Sequence, residues 1–187
     1  MEIDPKILRG CRRNDRRSQF ELYRICYSPL MSVCSRYEKN KEDAEELLNL
    51  AFYKILTKID KYSDGVPFEA WIRRITINTI IDEFRKKSRD KHLFLEKLEG
   101  HVPVDSMDFN EAEQRFDAEE LEEMIRQLPP VSQKVFNMYV VEGYNHKEIA
   151  EMLGISEGTS KWHLSTARKN VKQMLLKIIN KVASIIL

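Results

Sequence analysis

Between Asn40 and Ile59, apolar residues return at alternating steps of three and four: Ala44, Leu47, Leu48, Ala51, Phe52, Ile55, Leu56 and Ile59. That spacing puts them on one stripe of an α-helix and on both faces of a strand, so only a helix can bury them together. Asn40 stands three residues before Asp43, a capping-box-like start. The same period governs most of the chain, and no segment alternates apolar and polar residues with period two over a convincing length. The expected fold class is all-α.

The remaining helices follow from their breakers. From Phe20, the positions Leu22, Tyr23, Cys26, Leu30, Val33, Cys34 and Tyr37 share the helical step. Ser28-Pro29 reads as a cap followed by proline at the first helical position, so a helix is expected to restart there. A loop is expected at Asp60–Pro67, then a long helix from Phe68 to about Arg89. From Ser88 to about Phe116 the pattern dissolves around Gly100, Pro103 and a run of acids, as in a linker. Order returns with Ala118, Leu121, Ile125 and Leu128, before Pro129-Pro130. Further helices are expected around Val135–Val141, after Asn145 and after Ser156, with Gly143 and Gly154 as stops. The expected organisation is two small helical domains, 1–88 and 117–187, joined by a flexible acidic linker, 89–116.

Charge is nearly balanced, 31 Lys plus Arg against 30 Asp plus Glu in 187 residues, but it is segregated. Between Trp71 and Lys91 seven basic residues face three acids, and between Ser156 and Lys181 six face one. Two cationic helices point to two contacts with a polyanion. The three cysteines form no CxxC pair, which favours a reducing compartment over a disulfide scaffold. No uncharged apolar run is long enough to span a bilayer and no signal peptide is evident, so a cytoplasmic protein is expected, without membrane insertion. Phosphate-loop, nucleophile-elbow and zinc-protease motifs are absent, and the four histidines are scattered. Neither an enzyme, nor a cofactor, nor a metal is expected.

The segment from Tyr144 to Ser156 carries several agreeing local signals. Asn145 and Glu148 can form a capping box, Tyr144 and Ile149 a hydrophobic staple, and Gly154 a left-handed turn. Ser156 caps the next helix, whose inward positions would be Leu164, Ala167, Val171 and Leu175. A short helix, a glycine turn and a basic second helix make a helix-turn-helix for the DNA major groove. Lys161, Trp162, Ser165, Arg168 and Lys169 would then face phosphates and base edges. Along the earlier long helix, Trp71, Arg74, Asn78, Asp82 and Arg85 fall on a stripe about 60° wide. A ring, cations and an amide in one row suit single-stranded DNA, where a ring stacks on a base and cations hold phosphates.

These segments resemble a known family. Ser156 to Lys169 (SEGTSKWHLSTARK) is similar to the recognition helix of the extracytoplasmic-function group of bacterial RNA polymerase sigma factors, and Leu128 to Phe136 (LPPVSQKVF) to the start of their region 4. Asp43 to Phe52 (DAEELLNLAF) resembles the polymerase-docking signature of their region 2. Phe68 to Arg85 (FEAWIRRITINTIIDEFR) resembles the strand-melting helix of the same region. The resemblance implies core polymerase binding through Asp43, Glu46, Leu47, Asn49 and Phe52. It implies minus-ten DNA contacts from Tyr62, Ser63, Asp64, Phe68, Trp71, Arg74, Asn78 and Arg85, the loop Tyr62–Pro67 trapping a flipped base. Minus-thirty-five contacts would come from Ser156, Thr159, Lys161, Trp162, Ser165, Thr166, Arg168 and Lys169. Ser160, Trp162 and Thr166 depart from the family pattern, as do Asn49 and Leu50.

The implied function is that of a sigma factor directing core polymerase to promoters and assisting strand opening, held in check by an anti-sigma factor. The implied linker threads the polymerase's active-site and RNA-exit channel. The competing reading is a stand-alone helix-turn-helix regulator that binds duplex DNA as a dimer, with the apolar tail Leu175–Leu187 as its seam.

Overall fold

The computed structural model describes residues 1, 3–63, 65–90 and 118–186. These residues form helices and turns without a strand, divided between two compact units. The expected linker falls almost wholly on residues 91–117, outside the described residues.

In the N-terminal unit, Asp4 caps α1 (Pro5–Arg12), its side chain accepting the Lys6 N–H, with Pro5 leading the helix. Asn14, in the left-handed region at φ 57°, turns the chain. Asp15 then caps α2 (Arg16–Cys34), its carboxylate accepting from both the Ser18 N–H, at 2.8 Å, and the Ser18 hydroxyl, at 2.6 Å. This corner is tight enough that a Cβ on Gly10 would collide with the Ser18 side chain.

Helix α2 does not restart at Ser28-Pro29; it runs through Pro29 without a break. Proline removes one N–H, and the carbonyl it would have bonded belongs to Ile25, on the exposed side where solvent can substitute. Meanwhile Leu22, Cys26, Leu30 and Val33 stay buried on one stripe, and burial at about 1.5–3 kcal/mol per large side chain outweighs one bond of about 1 kcal/mol.

Helix α3 (Lys41–Thr57) begins as its spacing predicts: Asn40 accepts the Asp43 N–H at 2.8 Å. Its predicted stripe is buried from Ala44 to Ile55. A short 3-10 turn, Ile59–Lys61, leads into the loop before α4 (Phe68–Asp90). Helix α4 packs on α2 and α3 through Ile72, Ile75, Ile77, Ile80 and Ile81. Thr76 and Thr79 lie inside this apolar face, each hydroxyl donating to a carbonyl one turn back at 2.8 Å. The three cysteines are free and buried. Burial pushes the thiols of Cys26 and Cys34 up to about 12 and that of Cys11 up to about 11, leaving them inert.

In the C-terminal unit, α5 (Ala118–Arg126) is followed by α6 (Pro130–Phe136), which starts five residues before the helix expected around Val135. Pro130 is its first residue, the position where a missing N–H costs nothing. Residues Asn137–Val141 then widen into a π-turn, closed by the Glu142 N–H donating to the Asn137 carbonyl at 3.0 Å. The turn buries Asn137 and Met138 and directs Tyr139, Val140 and Val141 outward. Helices α7 (His146–Leu153) and α8 (Glu157–Ile186) complete the unit. Its core is Val135, Phe136, Met138, Ile149, Leu153 and the four predicted inward positions of α8.

The Gly10 contact generates a prediction. Gly10→Ala should destabilise the N-terminal unit by about 1–3 kcal/mol, as overpacking does, while Ser18→Gly in the same chain should recover most of the loss. Urea unfolding followed by circular dichroism measures both; an unchanged midpoint for Gly10→Ala would contradict the corner's geometry.

Candidate nucleic-acid interface

The outward row of α4 follows from what it buries. With residues 72, 75–77 and 79–81 turned inward, Arg74, Asn78 and Asp82 stand exposed at four-residue intervals. Trp71 and Arg85 flank this row, half-buried. Asp82 pairs with Lys54 of α3 at 3.2 Å, which neutralises the acid within the row. Trp71 belongs to a three-ring cluster. Its ring centroid lies 5.2 Å from Tyr62 and 5.7 Å from Phe68, and Tyr62 meets Phe68 edge-on at 5.0 Å. Phe68 is buried, so it supports the cluster from beneath while Trp71 and Tyr62 keep part of their surface open. The Tyr62 hydroxyl donates to the Val66 carbonyl at 3.0 Å, closing the loop on itself. Ser63 is exposed, and Asp64 lies outside the described residues.

On α3 the acids divide. Asp43 accepts from the Asn40 amide at 2.9 Å; Glu45 accepts from the Tyr27 hydroxyl at 2.9 Å and pairs with Lys41 at 3.6 Å. Glu42 and Glu46 are exposed and have no ion pair among the described residues. Asn49, also exposed, accepts from the Tyr23 hydroxyl at 3.0 Å. Leu47 and Phe52 are buried, and Tyr23 meets Phe52 edge-on at 5.0 Å. Their role on view is to hold the helix in place, with little of either side chain exposed.

The helix-turn-helix is built as its local signals predict. Asn145 and Glu148 form the reciprocal capping box, at 3.0 and 2.9 Å. Gly154 adopts φ 69°, and both its N–H and that of Ile155 donate to the Ala150 carbonyl. Ser156 caps α8 through the Thr159 N–H at 3.0 Å. Lys161 and Lys169 are exposed; Thr159, Trp162, Ser165, Thr166 and Arg168 are half-buried.

Two contacts behind the helix were not foreseen. Ser160 is fully buried and hydrogen-bonds His146 Nδ1 at 2.9 Å, while Ser132 bonds His163 Nδ1 at 3.0 Å. Tyr139 stacks on His146 at 4.6 Å, and Trp162 lies edge-on to His163 at 4.8 Å. Burial lowers the pKa of both histidines, His163 to about 4; for His146 the nearby Lys161 and Arg168 add to the effect. Among the described residues no cluster of His, Cys, Asp or Glu could hold a metal ion.

Two stretches match descriptions of one family: "Sigma-70 region 2" over residues 22–90 and "Sigma-70, region 4" over residues 118–171. Three similar proteins are RNA polymerase sigma factors. SigZ of Bacillus subtilis is 28% identical over 160 residues, covering 83% of this chain and 85% of that protein. SigW of Bacillus subtilis is 24% identical over 183 residues, covering 91% and 95%. SigE of Mycolicibacterium smegmatis is 26% identical over 164 residues; 87% of this chain is matched, spanning 60% of that longer protein. The chain belongs to the extracytoplasmic-function group of RNA polymerase sigma factors.

Its fold is also that of a solved member, the sigma factor RpoE from Bartonella quintana in complex with the anti-sigma factor NepR. The TM-score is 0.51 at 18% identity, covering 83% of this chain and 94% of that one. Sigma factors confer promoter specificity and are not themselves enzymes. In this sigma factor, region 2 carries the α3 acids and the α4 row, and region 4 carries the helix-turn-helix. No described helix is long and apolar enough to cross a membrane.

The half-buried histidines set a pH window for region 4. The fold favours neutral His163, whereas the unfolded chain takes up a proton below about 6.5. Stability contributed by this group is therefore complete above that pH and lost as pH falls toward about 4. His146 acts with the same sign. Trp162 fluorescence in a Trp71→Phe background should report a falling thermal midpoint across this window, and His163→Gln should shrink the fall. A wild-type midpoint that stays level from pH 7 to pH 4 would refute it.

Proposed function

We propose that this sigma factor joins core RNA polymerase in the cytoplasm, places it at promoters, and helps open them with its two units dividing the DNA. Region 4, within residues 117–187, takes the paired minus-thirty-five element through the exposed Lys161 and Lys169 and the side chains beside them. Region 2, within residues 1–88, takes the unpaired minus-ten strand. The observation that carries this reading is the row of Arg74 and Asn78 beside a partly open Trp71. A ring backed by two others stacks on a base at little cost in side-chain entropy, and an adjacent guanidinium holds the phosphate. Extracting a base costs a few kcal/mol. A factor without catalysis must supply that from contacts made only with the open strand, each stacked ring contributing roughly 1–3 kcal/mol.

Glu42 and Glu46, exposed and without an ion pair among the described residues, are the groups on α3 best placed for a basic surface of the polymerase. Because RpoE was solved with NepR, an anti-sigma factor is the proposed restraint on this chain as well.

The test separates the two faces of region 2. With purified core polymerase, wild-type protein should give defined transcript starts on genomic DNA, preceded by a shared pair of motifs. Trp71→Ala and Asn78→Ala should reduce open-complex formation, about five- to a hundredfold for the tryptophan, with core affinity unchanged. Glu46→Lys should do the converse. Normal promoter opening by both α4 variants would end the assignment of this row to the melted strand; binding to a palindromic duplex without polymerase would favour a dimeric regulator.

A further inference from the structure

Trp162 stands on the crest of α8. At about a hundred degrees per residue, the buried positions Ser160, Leu164, Ala167 and Val171 all lie within about 40° of the direction opposite to it. Ser165, Thr166 and Lys169 share its outward arc, within about 60° on either side. A tryptophan so placed ought to stand clear of its helix, yet Trp162 is half-buried while Lys161 and Lys169 are exposed. The ring it meets is that of His163, edge-on at 4.8 Å with 76° between the planes.

His163 is itself tied from outside the helix. Its Nδ1 hydrogen-bonds the hydroxyl of Ser132, a buried residue of α6, at 3.0 Å. A hydroxyl on one helix thus fixes an imidazole on another, and the fixed imidazole limits the swing of the indole beside it. The ring is held at the position of the recognition helix that faces farthest from the core.

Base-edge chemistry says what such a ring can read. In the major groove the thymine 5-methyl is the one apolar group on a base edge, and the remaining groups are hydrogen-bond donors or acceptors. A tryptophan offers a large apolar face at low entropic cost, having only two side-chain torsions. Lys161, Ser165 and Lys169 beside it are suited to phosphates and polar base edges, so discrimination of a methyl falls to Trp162.

We infer that Trp162 determines specificity in region 4 by packing on a thymine methyl of the upstream promoter element, with Ser132, acting through His163, as the residue that positions its ring. This rests on region 4 taking the paired minus-thirty-five element, and goes beyond it by naming the base and two residues that act from behind the reader.

The experiment measures the affinity of the holoenzyme, the full chain with core polymerase, for promoter duplexes. Selection from a pool randomised across the upstream element gives the preferred sequence. Each of its thymidines is then replaced singly by deoxyuridine, which removes only the methyl group. For the wild type, one such replacement should weaken binding about fourfold, the worth of one buried methyl. Trp162→Ala should bind the two duplexes equally. Ser132→Ala should shrink the ratio with little change for the deoxyuridine duplex, whereas a residue that only stabilised the fold would weaken both alike. His163→Ala, at a half-buried position, should do the same. With Trp71→Phe in the background, both variants should also shift the emission of the remaining tryptophan to the red.

A wild-type holoenzyme indifferent to every replacement, or discrimination kept by Trp162→Ala, overturns Trp162 as the reader. A ratio and an emission unmoved in the Ser132 and His163 variants overturn the positioning role. Replacing Lys161 and Lys169 together by Gln separates these failures from that of region 4 itself. Unchanged duplex binding would take region 4 off the DNA, while weakened binding without any methyl effect removes Trp162 alone.

Discussion

The seating of α4 governs what region 2 can do. Seven of the ten residues from Ile72 to Ile81 are buried against α2 and α3. A helix buried over so wide an arc has no rotational freedom, because turning it by one position would expose isoleucines worth about 1.5–3 kcal/mol each. The remaining arc is a single line of side chains, Arg74, Asn78 and Asp82, aimed outward as a rigid row. Thr76 and Thr79 show how far burial has been extended, their hydroxyls satisfied by the helix's own carbonyls so that polar atoms can enter the core. A fixed row loses less order on binding than a mobile one, which suits the role proposed for it.

The chain carries almost no net charge and yet concentrates cations on particular helices. Two acids beside the cations are used structurally: Asp82 is neutralised by Lys54, and Asp15 is committed to a helix cap. Glu42 and Glu46 remain open on a different helix. Opposite signs thus stand on separate helices, the arrangement that the proposed contacts with a polyanion and a basic protein surface would need. Region 4 is arranged differently. Its exposed lysines ride on a helix whose rear is fastened by two half-buried serine–histidine bonds, and desolvation favours the neutral imidazoles there.

Much of this was legible in linear order. The α3 stripe, the Asn145–Glu148 box, the Gly154 turn and the Ser156 cap are encoded within a few residues of one another, so their geometry does not depend on distant partners. The row on α4 was legible too, because helical period alone places Trp71, Arg74 and Asn78 near one another. Where reading failed, long-range packing had overruled a local signal. Ser28-Pro29 has the form of a helix start, but the stripe from Leu22 to Val33 carries α2 through it. Pro129-Pro130 reads as a stop, and it is also the start of α6.

Sequence alone determined the helical class, the caps and turns of the helix-turn-helix, and which residues share a helical face, since each is set by spacing within one segment. Tertiary structure decided which of those residues meet solvent. Leu47, Phe52 and Phe68 became supports, Glu42 and Glu46 were left without an ion pair among the described residues, Ser160 turned inward to His146, and Arg12 was brought to the carbonyl of Tyr62 fifty positions away. The reason is physical: period assigns a side chain to a face, whereas burial and pairing depend on what packs against that face, and those partners come from elsewhere in the chain.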